Sequence, residues 1–536
     1  MFSGLIVGQS TSAQTSDAPS GNVRPSSAAS LVEVEGVVID SIAIYNRNVY
    51  DTDKPEYDNF LFKTANRLHV VTREAVIRRE LLFEVGDRFS AELADETARN
   101  LRARFELYDA WIETDLLPNG HLLVRVVTVD TWSLYVRFNI LRDGNRTDLK
   151  FGLEERNLLG YNKFISSDFV VQEDDDDFLT AQFRDDRAFG KAVRLKLDYS
   201  SNPVGWTRFV SLNRPYYSLS QRLAFGFGYA NQGGRTDVYR DNARIASSES
   251  EGDWVSLSSG YRLGGYRQKI DLSLFYDYVS ETTTDKRIFH PADSGLVSFP
   301  EDSTYHQILG RLGLYNMDFV KLTHINGFDY TEDFTLGQSF SVAGGRAFLP
   351  GFDDHLYDRL EFSLSNVIYH RSNLLSVSYV RTQWFRDAEI FRRLSHLLLR
   401  YYNNHLSFVT LAMRLQYLSD WRSDGIDPLL LGGISGLRGY DKYYRTGDRR
   451  ALLNVEGRFF SGLEILTVKF GGTVFFDAGQ IWKNGEPLKL DSFDHSIGVG
   501  LRISFEKSTK GEVVRVDLAT GQDNSWQLSA SAGQYF

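Results

Sequence analysis

From about residue 136 to the carboxy terminus, apolar and polar side chains alternate with a period of two, segment after segment. In AVRLKLDYS, Val193, Leu195, Leu197 and Tyr199 share one face, and Arg194, Lys196 and Asp198 share the other. RLAFGFGYA sets Leu223, Phe225, Phe227 and Tyr229 against Arg222, Ala224, Gly226 and Gly228. KIDLSLFYD sets Ile270, Leu272, Leu274 and Tyr276 against Lys269, Asp271 and Ser273. Successive side chains of a strand point to opposite faces, so this period selects strands over helices for most of the chain.

A soluble sandwich also alternates, and three features favour a membrane barrel instead. The apolar faces are large and aromatic, in a chain that is 14% aromatic. The opposite faces carry charges and glycines, which suit a wet lumen better than a dry core. The segments run about ten residues, enough to cross a bilayer at a tilt. In lipid only a closed sheet satisfies every backbone group. No stretch approaches the length of a transmembrane helix. At about 24 residues per strand and connection, residues 146–536 hold sixteen strands. The expected fold class is a transmembrane β-barrel of sixteen antiparallel strands over residues 136–536.

Residues 31–135 follow a different pattern. VEVEGVVIDSIAIY alternates as a strand. VTREAVIRRELLF offers Thr72 as an N-cap, Glu74 in the first turn and a stripe through Ile77 and Leu81. Ser90 caps a second helix with Ala94, Ala98, Leu101 and Phe105 on its buried side. DAWIETDLL and HLLVRVVTV then form a hairpin around Pro118-Asn119-Gly120. The order strand, helix, helix, strand, strand, with TRE, GD and Ser in VTREAVIRRELLFEVGDRFS, resembles a POTRA domain. That module is the periplasmic part of outer-membrane assembly and transport proteins. The departure is an insert, NRNVYDTDKPEYDNFLFKTANRL, between first strand and first helix. Residues 1–30 read as a truncated signal or a flexible linker, with a short apolar patch and then Ser, Ala, Pro and Gly.

Composition removes several functions. The chain has no cysteine, hence no disulfide, thiolate metal site or thiol nucleophile. Its net charge of −10 is spread along the sequence, which argues against a nucleic-acid partner. The 10 histidines form no HExxH, and there is no GxSxG elbow or P-loop. No enzyme, cofactor or metal is expected. Glu173-Asp174-Asp175-Asp176-Asp177 could bind calcium but lacks the spaced ligands of a dedicated loop, and reads better as a solvated hairpin tip.

The informative cluster comes late. LGGISGLRGYDKYY precedes ALLNVEGRFF and GGTVFFDAGQIW. If Leu453, Val455, Gly457 and Phe459 face outward, Asn454, Glu456 and Arg458 face the lumen. If Val474 and Phe476 face outward, Asp477 and Gly479 face inward. Arg438, on the loop just before, is a natural partner for Glu456 and Asp477, because a planar guanidinium engages two carboxylates and stays charged when desolvated.

These segments resemble the BamA/TamA/FhaC superfamily of outer-membrane barrels, the bacterial surface antigen family. The resemblance rests on the Arg-Gly-Tyr tip at Arg438, Gly439 and Tyr440 and on Phe475-Phe476-Asp477-Ala478-Gly479 downstream. ERNLLGYNKF resembles the first barrel hairpin of that group, and VVRVDLA its penultimate strand. The resemblance implies a lumenal clasp of Arg438, Gly439, Tyr440, Glu456, Asp477 and Gly479. It implies that the carboxy-terminal Phe536 is a signal read by insertion machinery. It further implies a bacterial outer-membrane location with the POTRA-like domain in the periplasm. The activity implied is assembly and insertion of outer-membrane proteins by strand templating at a seam between Asn157–Val171 and Trp526–Phe536, without covalent chemistry. The alternative is a two-partner-secretion barrel that translocates a polypeptide; a passive porin would need neither the domain nor the tip. Implied partners are unfolded outer-membrane or secreted polypeptides, outer-membrane lipids, and periplasmic chaperones or accessory lipoproteins.

Overall fold

The computed structural model describes residues 28–536 apart from 105, 144–145, 172–176, 203–204, 241–242, 290–296, 298, 300–301, 331, 353, 422–427, 434, 442–443, 510–512 and 523–524. Most of the acidic run at 173–177, and Phe105, lie outside the described residues. The segment read as linker or strand start at 28–33 is instead helix α1 (Ala28–Glu33).

The amino-terminal unit is a three-stranded sheet covered by helices. β1 (Ile39–Arg47) runs parallel to β3 (Leu122–Asp130), which pairs antiparallel with β2 (Leu107–Leu116). Between β1 and β2 come α2 (Phe60–Leu68), α3 (Glu74–Arg78) and α4 (Ala91–Arg102). Ala94 and Leu101 of α4 and Ile77 of α3 meet Ile39, Leu107, Leu122, Val124 and Val126 in one core. Small residues at 94 and 98 let the helix approach the sheet closely. Thr72 is not the helix cap expected of it: Arg73 stands at that position. Thr72 instead donates its N–H to Asp130 (2.7 Å), and its hydroxyl accepts from Asn157 (2.8 Å). The buried carboxylate of Asp130 outcompetes the helix end for that strand of chain. The insert forms α2.

Twenty strands build the second unit. They are β4 (Leu134–Asp143), β5 (Arg146–Glu155), β6 (Lys163–Val171), β7 (Phe178–Asp185), β8 (Arg194–Asn202), β9 (Gly205–Arg214), β10 (Leu223–Arg240), β11 (Ala243–Gly264), β12 (Gln268–Ile288) and β13 (Ser303–Leu322). After these come β14 (Glu332–Phe348), β15 (His355–His370), β16 (Asn373–Arg386), β17 (Glu389–Leu406) and β18 (Val409–Trp421). A loop carrying the short pair β19 (Leu429–Leu431) and β20 (Arg445–Gly447) intervenes. β21 (Arg449–Ile465), β22 (Val468–Trp482), β23 (Asp494–Ser504), β24 (Val513–Thr520) and β25 (Trp526–Ala532) complete the sheet. Neighbours in sequence pair antiparallel throughout, β18 pairs with β21 across the loop, and the ring closes where β25 lies beside β4. Every junction except this last one has a residue register among the described residues.

The strand number corrects the expected sixteen. A uniform length per strand fails because β4–β9 pack six strands into residues 134–214, whereas β10–β13 are 18 to 22 residues long. The first strand also corrects the expected seam. ERNLLGYNKF joins β5 to β6, the second hairpin of the sheet, because LYVRFNILRD and RTDLKFGLEE already form one before it.

The two faces of the sheet divide as the alternation predicts. On β12, Leu274 is 54% exposed on the outside, while Asp271 on the inside is 8% exposed and receives both nitrogens of Arg262 at 2.7 Å. Inside, Glu361 joins Arg311 (2.9 Å) to Arg359 (2.7 Å). Outside, the exposed residues are aliphatic and aromatic around the ring. Among the described residues no helix is long and apolar enough to cross a membrane.

The amino-terminal unit seats on the turns at one end of the sheet. Arg102 of α4 forks onto Asp333 at the start of β14 (3.1 and 2.8 Å), with both side chains buried. Glu80 receives Arg187 from the β7–β8 turn at 2.7 and 2.5 Å, and also pairs with Arg104. Glu96 accepts the N–H of Leu219 and the hydroxyl of Tyr266 (2.6 Å each). Trp132 donates its N–H to the carbonyl of Lys507 (2.8 Å). These contacts lie around much of the rim, so the unit caps that mouth of the ring.

Candidate functional site: a buried arginine clasp

The loop between β18 and β21 folds inward. The β19–β20 ribbon lays Leu431 beside Leu437, Tyr440, Leu452 and Ile481, a small apolar cluster against the inner wall. Glycines make the fit possible. Gly436 has φ +124°, and a Cβ there would stand 2.4 Å from the Leu452 side chain. Gly479 faces inward, and a Cβ on it would meet Leu452 at 2.8 Å and Leu431 at 2.9 Å.

This places Arg438 at the wall, 2% exposed. Its Nε and Nη2 donate to the two oxygens of Asp477, each at 2.8 Å. Its Nη1 donates to Glu456 Oε1 at 2.6 Å and reaches Asp517 Oδ2 at 3.4 Å. The guanidinium lies between two rings, 3.4 Å from the centroid of Phe475 and 4.0 Å from that of Tyr535. Tyr440, two residues on, donates its hydroxyl to the carbonyl of His495 (2.9 Å) and accepts the N–H of Gln522 (3.1 Å). Gly439 (φ +84°) presses against the backbone of Thr520. The Arg-Gly-Tyr tip thus touches β21, β22, β23 and the end of β24.

Arg438, Glu456, Asp477, Gly439, Tyr440 and Gly479 are therefore brought together. Further members join them, including Asn454 and Arg458, whose parity already turns them to the lumen. Arg458, on the inner face of β21, donates to Glu456 (2.9 Å). Arg502 of β23 donates to Asp517 of β24 (2.6 Å). Asn454 donates to Asp477 (2.7 Å) and accepts both Arg414 nitrogens (2.9 and 2.7 Å). Three carboxylates thus face three guanidiniums, all close to fully buried, which is how a dry site tolerates that many charges.

Phe536 lies elsewhere than a terminal strand residue would. β25 stops at Ala532, the chain turns at Gly533 (φ +81°), and Gln534-Tyr535-Phe536 enters the lumen. Arg458 Nη2 donates to the terminal residue's oxygen (2.8 Å), and Arg502 Nε to Gln534 (3.0 Å). The Tyr535 hydroxyl donates to the carbonyl of Gly433 (2.9 Å). The Phe536 ring packs with Leu322, Ile325, Leu374 and Tyr402. No sequence periodicity marks a four-residue tail; Gly533 was the only signal.

Fold and site together define a class: a closed antiparallel β-barrel with an inward-folded loop clasped to its wall and an α+β unit on one mouth. Solved structures of similar fold include CdiB from Escherichia coli, at 11% identity and TM-score 0.46, covering 97% of this chain and 79% of that one. CdiB from Acinetobacter baumannii aligns at 12% identity and TM-score 0.42, over 93% of this chain and 74% of that one. BamA from Haemophilus ducreyi lacking POTRA domains 1–3 aligns at 12% and 0.38, over 92% and 84%. No family model and no curated protein matches the sequence.

Proposed function

We propose that this chain is an outer-membrane assembly factor of BamA/TamA type, with its amino-terminal POTRA-like domain in the periplasm. It inserts unfolded outer-membrane polypeptides by offering them a strand edge at the β4–β25 seam, without covalent chemistry. The observation that carries the reading is the unequal wall. β25 has seven residues. At about 3.3 Å per residue and a tilt of about 40°, that gives a wall about 18 Å high, below the roughly 25 Å apolar band of an outer-membrane barrel. Lipid beside this seam must thin or leave backbone groups exposed, and an edge with unpaired groups is a template for another strand.

The clasp supports this role from one side. By tying the loop to β21–β24, Arg438 stiffens the wall up to the seam. Translocation of a polypeptide through the lumen, as in two-partner secretion, is the weaker reading. That route would have to displace the clasped loop, the inward tail and the capping domain.

The test is reconstitution. Purified protein in liposomes should speed the folding of a urea-denatured outer-membrane barrel into the same liposomes. Ion conductance without any such acceleration would overturn the insertase reading.

A further inference from the structure

The insert at 46–68 is not a floppy connection. Asn59 caps α2 by accepting the N–H of Phe62 (3.2 Å). Asn66 bonds both backbone groups of Tyr50, at 3.2 and 2.8 Å. The rings of Tyr50, Tyr57 and Phe62 pack together with centroids 4.6 to 5.8 Å apart. Having built this small core, the helix points its remaining large apolar residues away from it: Phe60 is 83% exposed, Leu68 71%, and Leu61 is exposed as well. Arg67 stands beside them, and so does Lys63, which pairs with the exposed Asp58.

The position of the insert says what would cover that face. Tyr50 bonds Thr467 at the β21–β22 turn, and Tyr57 lies near Glu464 and Lys469 of the same turn. At the other end, Asn157 reaches the carbonyl of Val70, and Arg73 donates its N–H to Gly160, both in the β5–β6 turn. In the ring these two turns lie on either side of the β25–β4 seam. Both turns are themselves apolar and exposed, at Leu159, Ile465 and Leu466. The insert thus spans the rim beneath the seam, with its exposed helix face between two exposed apolar turns.

We propose that α2 is an interfacial lipid anchor. Phe60, Leu61 and Leu68 enter the headgroup–acyl boundary of the leaflet adjoining the amino-terminal unit, with Lys63 and Arg67 among the phosphates of an anionic phospholipid surface. A short helix with aromatic and aliphatic residues on one side and basic residues beside them is built for that boundary. The anchor holds the unit at the seam. The proposal rests on the reading of the barrel as membrane-spanning.

The absence of native cysteine makes the test direct. Full-length single-cysteine variants Phe60→Cys, Glu56→Cys and Leu272→Cys carry an NBD label and are reconstituted into phosphatidylethanolamine–phosphatidylglycerol vesicles with or without doxyl-labelled lipid. Label at 60 should be quenched at least about two-fold, like label at the outer-wall position 272, while label at 56 stays unquenched. Quenching at 272 but not at 60 would overturn the anchor and leave the barrel intact. No quenching at 272 would overturn the membrane reading, and the anchor with it. A blue shift at 60 that follows protein concentration and ignores doxyl lipid would assign the face to a second copy, and so overturn the proposal.

Discussion

Replacing Arg438 by alanine should be costly for a specific reason: it strands Asp477. Without the guanidinium, Glu456 keeps Arg458 at 2.9 Å and Arg502 at 3.9 Å, and Asp517 keeps Arg502 at 2.6 Å. Asp477 loses its bidentate partner and retains, among the described side chains, the amide of Asn454 at 2.7 Å. Asp477 is fully buried under Arg438, so the change leaves a carboxylate that folding has already desolvated. Removing one member of a buried pair costs about 3–5 kcal/mol, most of it the penalty of the charge left behind. Arg438→Ala should therefore lose about 3–5 kcal/mol. Arg438→Ala/Asp477→Ala should recover much of this, giving a coupling energy of about 2–3 kcal/mol. Arg438→Lys should fall between, because an ammonium cannot fork onto Asp477 while also reaching Glu456.

The assay is urea unfolding in detergent micelles, followed by tryptophan fluorescence, beside the temperature at which the folded band is lost in cold-SDS electrophoresis. Additive single and double variants would refute the stranded-charge argument even if each were unstable. An Arg438→Ala protein with the wild-type transition would refute the clasp itself.

Three other perturbations probe the surroundings. Gly479→Leu should drive the β19–β20 ribbon off the wall, since even a Cβ meets Leu431 and Leu452 below 3 Å, and limited proteolysis should then cut the 422–448 loop. Tyr535→Ala removes the hydroxyl that donates to Gly433 and the ring that covers Arg438, and should cost about 1–3 kcal/mol in the same urea titration; an unchanged midpoint would show that the tail contributes nothing to the lumen. Burial pushes the Glu80 carboxyl up, but Arg104 and Arg187 beside it hold it below its ordinary 4.5. The folded value is depressed, so its contribution to seating the amino-terminal unit is present above the ordinary value and is lost as pH falls through the lowered one. Protease protection of that unit should hold at neutral pH and weaken only once the pH has fallen below the ordinary 4.5, and Glu80→Gln should blunt the pH step.

What the sequence made legible follows from which forces are local. Period two is imposed residue by residue, so inner and outer faces could be assigned from KIDLSLFYD alone, and Asp477 and Glu456 could be placed inside without coordinates. The same parity held Arg502 and Asp517, since Leu501 and Leu518 face out beside them, but no spacing says which of many inward charges will meet. Strand number failed because it is a global sum: the short strands β4–β9 look like their longer neighbours over any ten residues. The Arg102–Asp333 pair, 231 positions apart, carries no local trace. The inward tail has only Gly533 to announce it, and the nine residues of α2 are too few to announce a helix by period.

These features bear on one another at the seam. The clasp reaches the end of β24 through Gly439 and Tyr440, and the tail returns from β25 to the arginines beside it, so the last strand is tethered to the buried charge cluster of the lumen. On the other side, the turn after β5 is tied to the amino-terminal unit through Asn157 and Gly160. Opening β25 from β4 therefore leaves the ion pairs of Arg438 with Glu456 and Asp477 in place. It requires that the tail let go of Arg458 and Arg502 and lift Tyr535 off Arg438 and Gly433, or that the amino-terminal unit shift at the β5–β6 turn. Under the proposed assembly role, a client strand that supplies backbone partners to the freed edge would recover what the seam gives up, whereas a ligand that fills the lumen would have to break the buried charge cluster first. That comparison favours the lateral route of the proposal over a lumenal one.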